Sequence, residues 1–315
     1  MSTRIAAVRG RRVWDSRGRP TVEAEVELKG GALGRAIAPA GASTGSGEAV
    51  DRRDGGAAFG GLDVKGAVAA VADPIGTALR GRDAADQEAI DAFLCQLDGT
   101  PEKSRLGGNA TIAVSMACAH AAAAAAGLPL WRHLAGDALV ALPLPEIQIF
   151  GGGAHAAGRL DIQDFLVVCP GAASFAQALD WTAEVHRHAG RLMAEAGRLA
   201  GVADEGGWWP AFDGNEQALD MLVRAIERAG LRPGEQVAIA LDVAASQLGR
   251  DGVYRLAADG RTLDTGQMIE LLTGWIDRYP IVSIEDPLAE DDAAGFRAFS
   301  AAGVSGSRWS ATTFW

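Results

Sequence analysis

The sequence predicts an α/β protein in two parts: an α+β domain over residues 1–136, antiparallel strands first and helices after, then a region over residues 137–315 built as a parallel sheet or barrel. Three observations predict it. Val22–Leu28 (VEAEVEL) alternates apolar and acidic residues, residues 64–126 place apolar residues three and four apart, and from Pro145 onward short apolar runs alternate with capped helical ones.

In chain order, the period of two at Val22–Leu28 is that of a half-buried antiparallel strand, and Arg35–Pro39 is its partner. After the polar loop Ala40–Gly47 the rhythm changes, and Val64–Leu79, Ala85–Leu97 and Asn109–Ala126 read as helices. The first domain closes near Gly136. Beyond it, Pro145–Phe150, Ile162–Cys169, Val237–Asp242 and Ile281–Glu285 read as buried strands. The helices between them start on capping pairs: Ser174 with Gln177, Asp213 with Glu216, and Asp264 with Gln267.

Composition excludes several functions. A net charge of −11 argues against a nucleic-acid surface, which needs clustered Lys and Arg. Cys95, Cys118 and Cys169 are widely spaced, with no zinc-type pairing, and read as thiols of a reducing cytosol. The N-terminus lacks an apolar signal core, and the Ala-rich stretch around Ala117–Ala126 reads as small-residue helix rather than a membrane span, so the expected location is cytoplasmic with no membrane partner. Gly151–Gly153 does not open a dinucleotide fingerprint, because Gly158 falls at the wrong spacing and a strand follows. The sequence has no phosphate-loop motif.

The chemistry-bearing residues are acids. Asp164, Asp242 and Glu285 sit in or at the ends of apolar strands, and Glu205 sits in a glycine-flanked loop. One acid at a strand end is more often a helix cap or an ion-pair partner. Several together, in strands otherwise free of charge, point to a carboxylate site at the strand ends of a barrel.

Seven strings in order carry a resemblance: DSRGRPTVE (Asp15–Glu23), GASTG (Gly41–Gly45), LDGT (Leu97–Thr100), GGGAHA (Gly151–Ala156), DEGG (Asp204–Gly207), ALDVAAS (Ala240–Ser246) and SIEDPLAEDD (Ser283–Asp292). With them the chain resembles the enolases over nearly its whole length to about residue 300. The resemblance implies an enolase-type β/α (TIM-like) barrel, of which residues 137–315 make about half. It implies a lyase of glycolysis that reversibly dehydrates 2-phosphoglycerate to phosphoenolpyruvate, using two Mg2+ ions per site. Such a site withdraws a proton beside a carboxylate, so it needs divalent cations to hold the added charge, and a Lys or His base. By resemblance Asp242 and Glu285 ligate the first magnesium, Ser43 joins the second, Glu205 is the acid assisting departure of the hydroxyl, Asp164 is a further catalytic carboxylate, and His155 and Gln163 line the pocket for a small phosphorylated carboxylate. His120, His133, His186 and His188 read as structural or exposed. A homodimer is implied for the intact form.

The chain departs from the family at several points. Asp164 stands where glutamate is usual, Gly47 where histidine is common, and Leu144–Gly153 (LPEIQIFGGG) replaces an asparagine-containing run. No lysine follows Lys103, and the positions where the family carries its lysine base and third metal aspartate are not found. The segment Ser307–Trp315 holds two of the eight tryptophans. Read one base out of frame with GC-rich codons, Arg308–Trp315 becomes Gln-Val-Val-Gly-Asp-Asp-Phe-Leu, similar to the family's next strand. We expect a frameshift between about Gly303 and Ser307, which sequencing that DNA tests. The expectations for function are accordingly an enolase whose residues 1–315 are inactive alone, a non-catalytic remnant or interaction subunit, or a superfamily relative acting on another carboxylate.

Overall fold

The structure, a computed structural model, describes residues 1–302, so the Ser307–Trp315 segment lies outside the described residues. The chain divides into two compact units, Met1–Ala141 and Leu142–Trp315.

The first unit opens with an antiparallel sheet of β1 (Ile5–Trp14), β2 (Pro20–Leu28) and β3 (Leu33–Ala38), in that order. Val22, Ala24, Val26 and Leu28 face the core. On the other face Glu23, Glu25 and Glu27 meet Arg9, Arg11 and Arg35 across the strands, so the alternation in sequence becomes one apolar and one ion-paired face. Helices α1 (Lys65–Ala70), α2 (Gly76–Leu79), α3 (Gln87–Asp98), α4 (Gly108–Ala126) and α5 (Leu130–Ala135) follow. Helix α4 is long and apolar enough to cross a membrane. Here it is a core helix, with Ala110, Ala113, Val114, Ala117 and Ala121 fully buried. The helix predicted over Val64–Leu79 is broken: Asp73, before Pro74, is extended (φ −151°, ψ 126°), as the steric demand of a following proline favours.

The second unit holds β4 (Ile147–Gly151), β5 (Asp164–Val168), α6 (Phe175–Glu195), β6 (Leu199–Val202), β7 (Trp208–Pro210), α7 (Asn215–Arg228) and β8 (Ala238–Asp242). Next come β9 (Gly249–Arg250), β10 (Val253–Leu256), β11 (Arg261–Asp264), α8 (Thr265–Arg278), β12 (Ile281–Glu285) and α9 (Ala293–Ala302). The main sheet has the order β12-β8-β5-β4-β7-β6, and β9–β11 form a small separate sheet. Phe150, Phe165, Ile239, Leu241 and Trp275 are among the side chains filling the core.

The main sheet is mixed, where alternation of strands and helices predicted a parallel one. Strand β5 runs antiparallel to both β4 and β8. The link from β4 to β5 carries only a single 3-10 turn at Gly153–Ala156, where a parallel crossover normally carries an α-helix. Two of the predicted caps form: Ser174 accepts from the Gln177 N–H, and Asp264 with Gln267 makes a full capping box. Asp213 does not cap α7, because Arg198 takes its carboxylate at 2.6 and 2.7 Å.

Candidate active site

Strand pairing assembles the acids. The parallel strands β8 and β12 end on Asp242 and Glu285, which are register partners. Antiparallel β5 begins on Asp164, the register partner of Asp242. One row of carboxylates therefore crosses β5, β8 and β12. Asp164 reaches that row from the start of its strand, not from a C-terminal end, because β5 is reversed.

The row is crowded with like charge. Burial, with Glu285 and Asp164 adding, pushes the Asp242 carboxyl up to about 7. Glu285 is also raised, by burial first and then by Asp286, Glu146 and Asp164. The exits of both strands are knitted together: Val243 N–H donates to the Glu285 carbonyl at 3.0 Å, and Ala245 N–H to the Asp286 carbonyl at 3.1 Å. Ala244 (φ 47°) and Asp286 (φ 44°) take left-handed backbone conformations there, which non-glycine residues adopt at a cost that the surroundings must offset.

His155 lies beside this row. Its Nε2 is 3.6 Å from Asp164 Oδ2 and 3.6 Å from Glu205 Oε1. The imidazole is buried, whereas the Glu205 side chain is 55% exposed and can approach a ligand from solvent. The Asp164 carboxylate beside the ring raises the His155 pKa, burial opposes it, and the charges of Glu205 and Asp204 add to the rise. Nδ1 of His155 is buried without a partner.

Gln163 is tied into the row. Its Nε2 donates to Asp242 Oδ2 at 2.9 Å, and its Oε1 accepts from Gln247 Nε2 at 2.6 Å. Gln247 was missed in the sequence, as was Gln148, whose Nε2 donates to Asp164 Oδ1 and whose Oε1 accepts from the Gly207 N–H at 2.9 Å. A glutamine in an apolar strand was the available signal. His186, read as structural or exposed, has Nε2 3.0 Å from the Gly206 carbonyl and stacks on Trp208, so it braces the loop that bears Glu205. Ser43 belongs to the first unit, where it is exposed in the loop after β3, and it is not among the residues that the second unit assembles.

The residues fit a hard divalent cation. The row offers carboxylate oxygens, burial and then neighbouring acids raise Asp242 and Glu285, and no Lys or Arg lies among the causes that shift those two. His155, Asp164 and Glu205 form a second donor group, with ligand atoms within 4.8 Å of one another. Hard cations such as magnesium prefer oxygen donors, which Asp164, Asp242 and Glu285 supply, while among the described residues the ligand atoms that converge are those of His155, Asp164 and Glu205.

An α+β unit followed by a β/α sheet with a carboxylate row at the strand ends defines a class: β/α-barrel enzymes with an acidic site. Residues 5–134 match the family model of the enolase N-terminal domain, and residues 139–305 match that of the enolase C-terminal TIM barrel domain. The chain belongs to the enolase family.

Proposed function

We propose that the chain derives from a phosphopyruvate hydratase, a lyase that reversibly dehydrates 2-phosphoglycerate to phosphoenolpyruvate. The observation that carries this reading is the Asp164–Asp242–Glu285 row, with His155 and Glu205 beside it. Asp242 and Glu285 would hold Mg2+. Bound magnesium would supply positive charge to hold the substrate carboxylate as a proton leaves the adjacent carbon.

The chain's own groups divide the remaining work. Gln163 keeps one Asp242 oxygen oriented. Glu205 Oε1 would give a proton to the departing hydroxyl, which leaves as water. His155, placed between Asp164 and Glu205, would orient both carboxylates and meet the substrate at the pocket wall. No lysine lies among residues 104–315, so no lysine of this stretch serves as the base that removes the carbon-bound proton. Cytoplasmic location and a homodimeric assembled form are part of the same proposal.

The test is calorimetric titration of purified residues 1–315 with MgCl2, alongside an assay for phosphoenolpyruvate formation. Saturable magnesium binding lost in Glu285→Gln, with no turnover by residues 1–315 alone, is the expected outcome. Absence of magnesium binding defeats the metal assignment, and turnover defeats the proposal that residues 1–315 are inactive. A second reading, another carboxylate as substrate, is favoured by the short Asp164 side chain and is tested by screening 2-hydroxy carboxylates for magnesium-dependent dehydration.

A further inference from the structure

The two departures from the family pattern nearest the site, Asp164 and the run Leu144–Gly153, touch each other. Gln148, inside that run, is buried on β4 with 6% of its surface exposed. Its Nε2 donates to Asp164 Oδ1, and its Oε1 accepts from Gly207 N–H at 2.9 Å. Carboxylate oxygens accept and a backbone N–H donates, so only one orientation of the amide satisfies both ends.

The backbone around Gln148 is shaped to it. A Cβ at Gly207 would lie 2.4 Å from Gln148 Oε1, and a Cβ at Gly151 would lie 3.3 Å from its Nε2 and 2.5 Å from the Ala203 Cβ. Glycine at both positions leaves the space that the amide fills. Gly207 closes the loop carrying Glu205, and within that loop Ala203 N–H donates to the Gly207 carbonyl at 2.7 Å.

We infer that Gln148 is a positioning residue: its amide bridges Asp164 and the Glu205 loop, fixing the separation of the two acids that flank His155. An aspartate at position 164 holds its carboxylate closer to β5 than a glutamate would, and Gln148 reaches that carboxylate from the neighbouring strand. The role in catalysis rests on the proposed dehydratase reading, but the bridge itself does not.

The test is made on residues 1–315 with NMR signals of the Gly207 amide, the His155 ring and the Trp208 indole. Gln148→Met keeps the bulk and removes both bonds. Its Gly207 amide should exchange with solvent about tenfold faster, the scale of one hydrogen bond of order 1 kcal/mol, and the His155 ring signals should move. The Trp208 indole N–H, bonded to the His186 carbonyl at 2.8 Å, should stay in place and so reports an intact fold. Asp164→Asn retains an oxygen for the Gln148 amide, so it should shift His155 while leaving Gly207 protected. Gln148→Asn, shorter by one methylene, serves if the methionine variant does not fold, with the same expected loss at Gly207. Unchanged Gly207 protection in a folded Gln148 variant, or equal release of Gly207 in Asp164→Asn, overturns the bridge. Failure of the wild-type chain to bind MgCl2 would strike the functional reading and leave these outcomes untouched.

Discussion

Replacing Asp242 by asparagine should stabilise the metal-free chain while weakening its grip on magnesium. The folded state holds this carboxyl at about 7, against an ordinary value of 3.8, so it binds the proton more tightly than the unfolded chain does. Stability from this group is therefore intact below about pH 4 and declines as pH rises through about 7. A rise of about three pKa units, at about 1.36 kcal/mol each, sets a ceiling of roughly 4 kcal/mol of destabilisation at pH 8. Asparagine still buries a polar group, so about half of that, ~2 kcal/mol, is the expected gain. The hydrogen bonds survive: the side-chain oxygen of the introduced asparagine accepts from Ala244 N–H, as Asp242 Oδ1 does at 2.9 Å. On the other side the Gln163 and Gln247 amides turn over, exchanging donor and acceptor along the chain. The assay is urea unfolding at pH 8, in EDTA and in MgCl2. Wild type should gain about 2.7 kcal/mol at a hundredfold excess of magnesium over Kd, and Asp242→Asn less than about 1 kcal/mol by the same relation. An asparagine variant less stable than wild type in EDTA, or equally stabilised by magnesium, refutes the reasoning.

Three further outcomes follow from the same geometry. His155 should titrate above its ordinary value of 6.5 because of Asp164; its charged form stabilises the fold fully below about 6.5 and ceases to as pH rises through the raised value. An NMR titration should show the midpoint falling in Asp164→Asn. Asn215, fully buried, donates to Asp161 Oδ2 at 2.8 Å and to Asp259 Oδ2 at 2.9 Å, so Asn215→Ala leaves two carboxylates facing each other and should cost about 2–4 kcal/mol in urea unfolding. Gly34→Ala would set a Cβ 2.1 Å from the Ala117 carbonyl oxygen and 2.2 Å from the Ala121 nitrogen; the β3–α4 contact cannot accept it without backbone movement, and a loss of roughly 2 kcal/mol or more is expected in thermal unfolding.

Elements whose pattern matched their burial were readable in the sequence. Val22–Leu28 and Ile281–Glu285 form strands as predicted, since in each an apolar face or an apolar run is actually buried. The hairpin β6–β7 was not read, because Leu199 and Val202 are exposed and present no buried face from which to infer a period. Its glycine-rich turn, Asp204–Gly207, was noticed only for its chemistry. The β9–β11 sheet escaped for a similar reason: in β10 only Tyr254 and Leu256 are buried, too short an alternation to separate from a loop. At the site, Asp164, Asp242 and Glu285 stood out as charges in apolar strands. Gln148 and Gln247 did not, because an uncharged amide declares its partner only once the strands are paired.

The reversal of β5 explains why one short stretch contributes so much to the site. A helical crossover after β4 would carry the chain back to the opposite edge of the sheet before the next strand began. The tight Gly153–Ala156 turn instead returns it at the same edge, so His155, Gln163 and Asp164 all arrive where β8 and β12 end. Gln163 and Asp164 are consecutive, at the entry to β5. One bonds Asp242, and the other bonds Gln148 and faces His155. The carboxylate row and the His155–Glu205 group thereby meet at the start of β5. A shift in that strand's register by one residue would exchange these contacts and dismantle both groups together, and the burial of Phe165 and Val167 in the core immediately beyond Asp164 opposes such a shift.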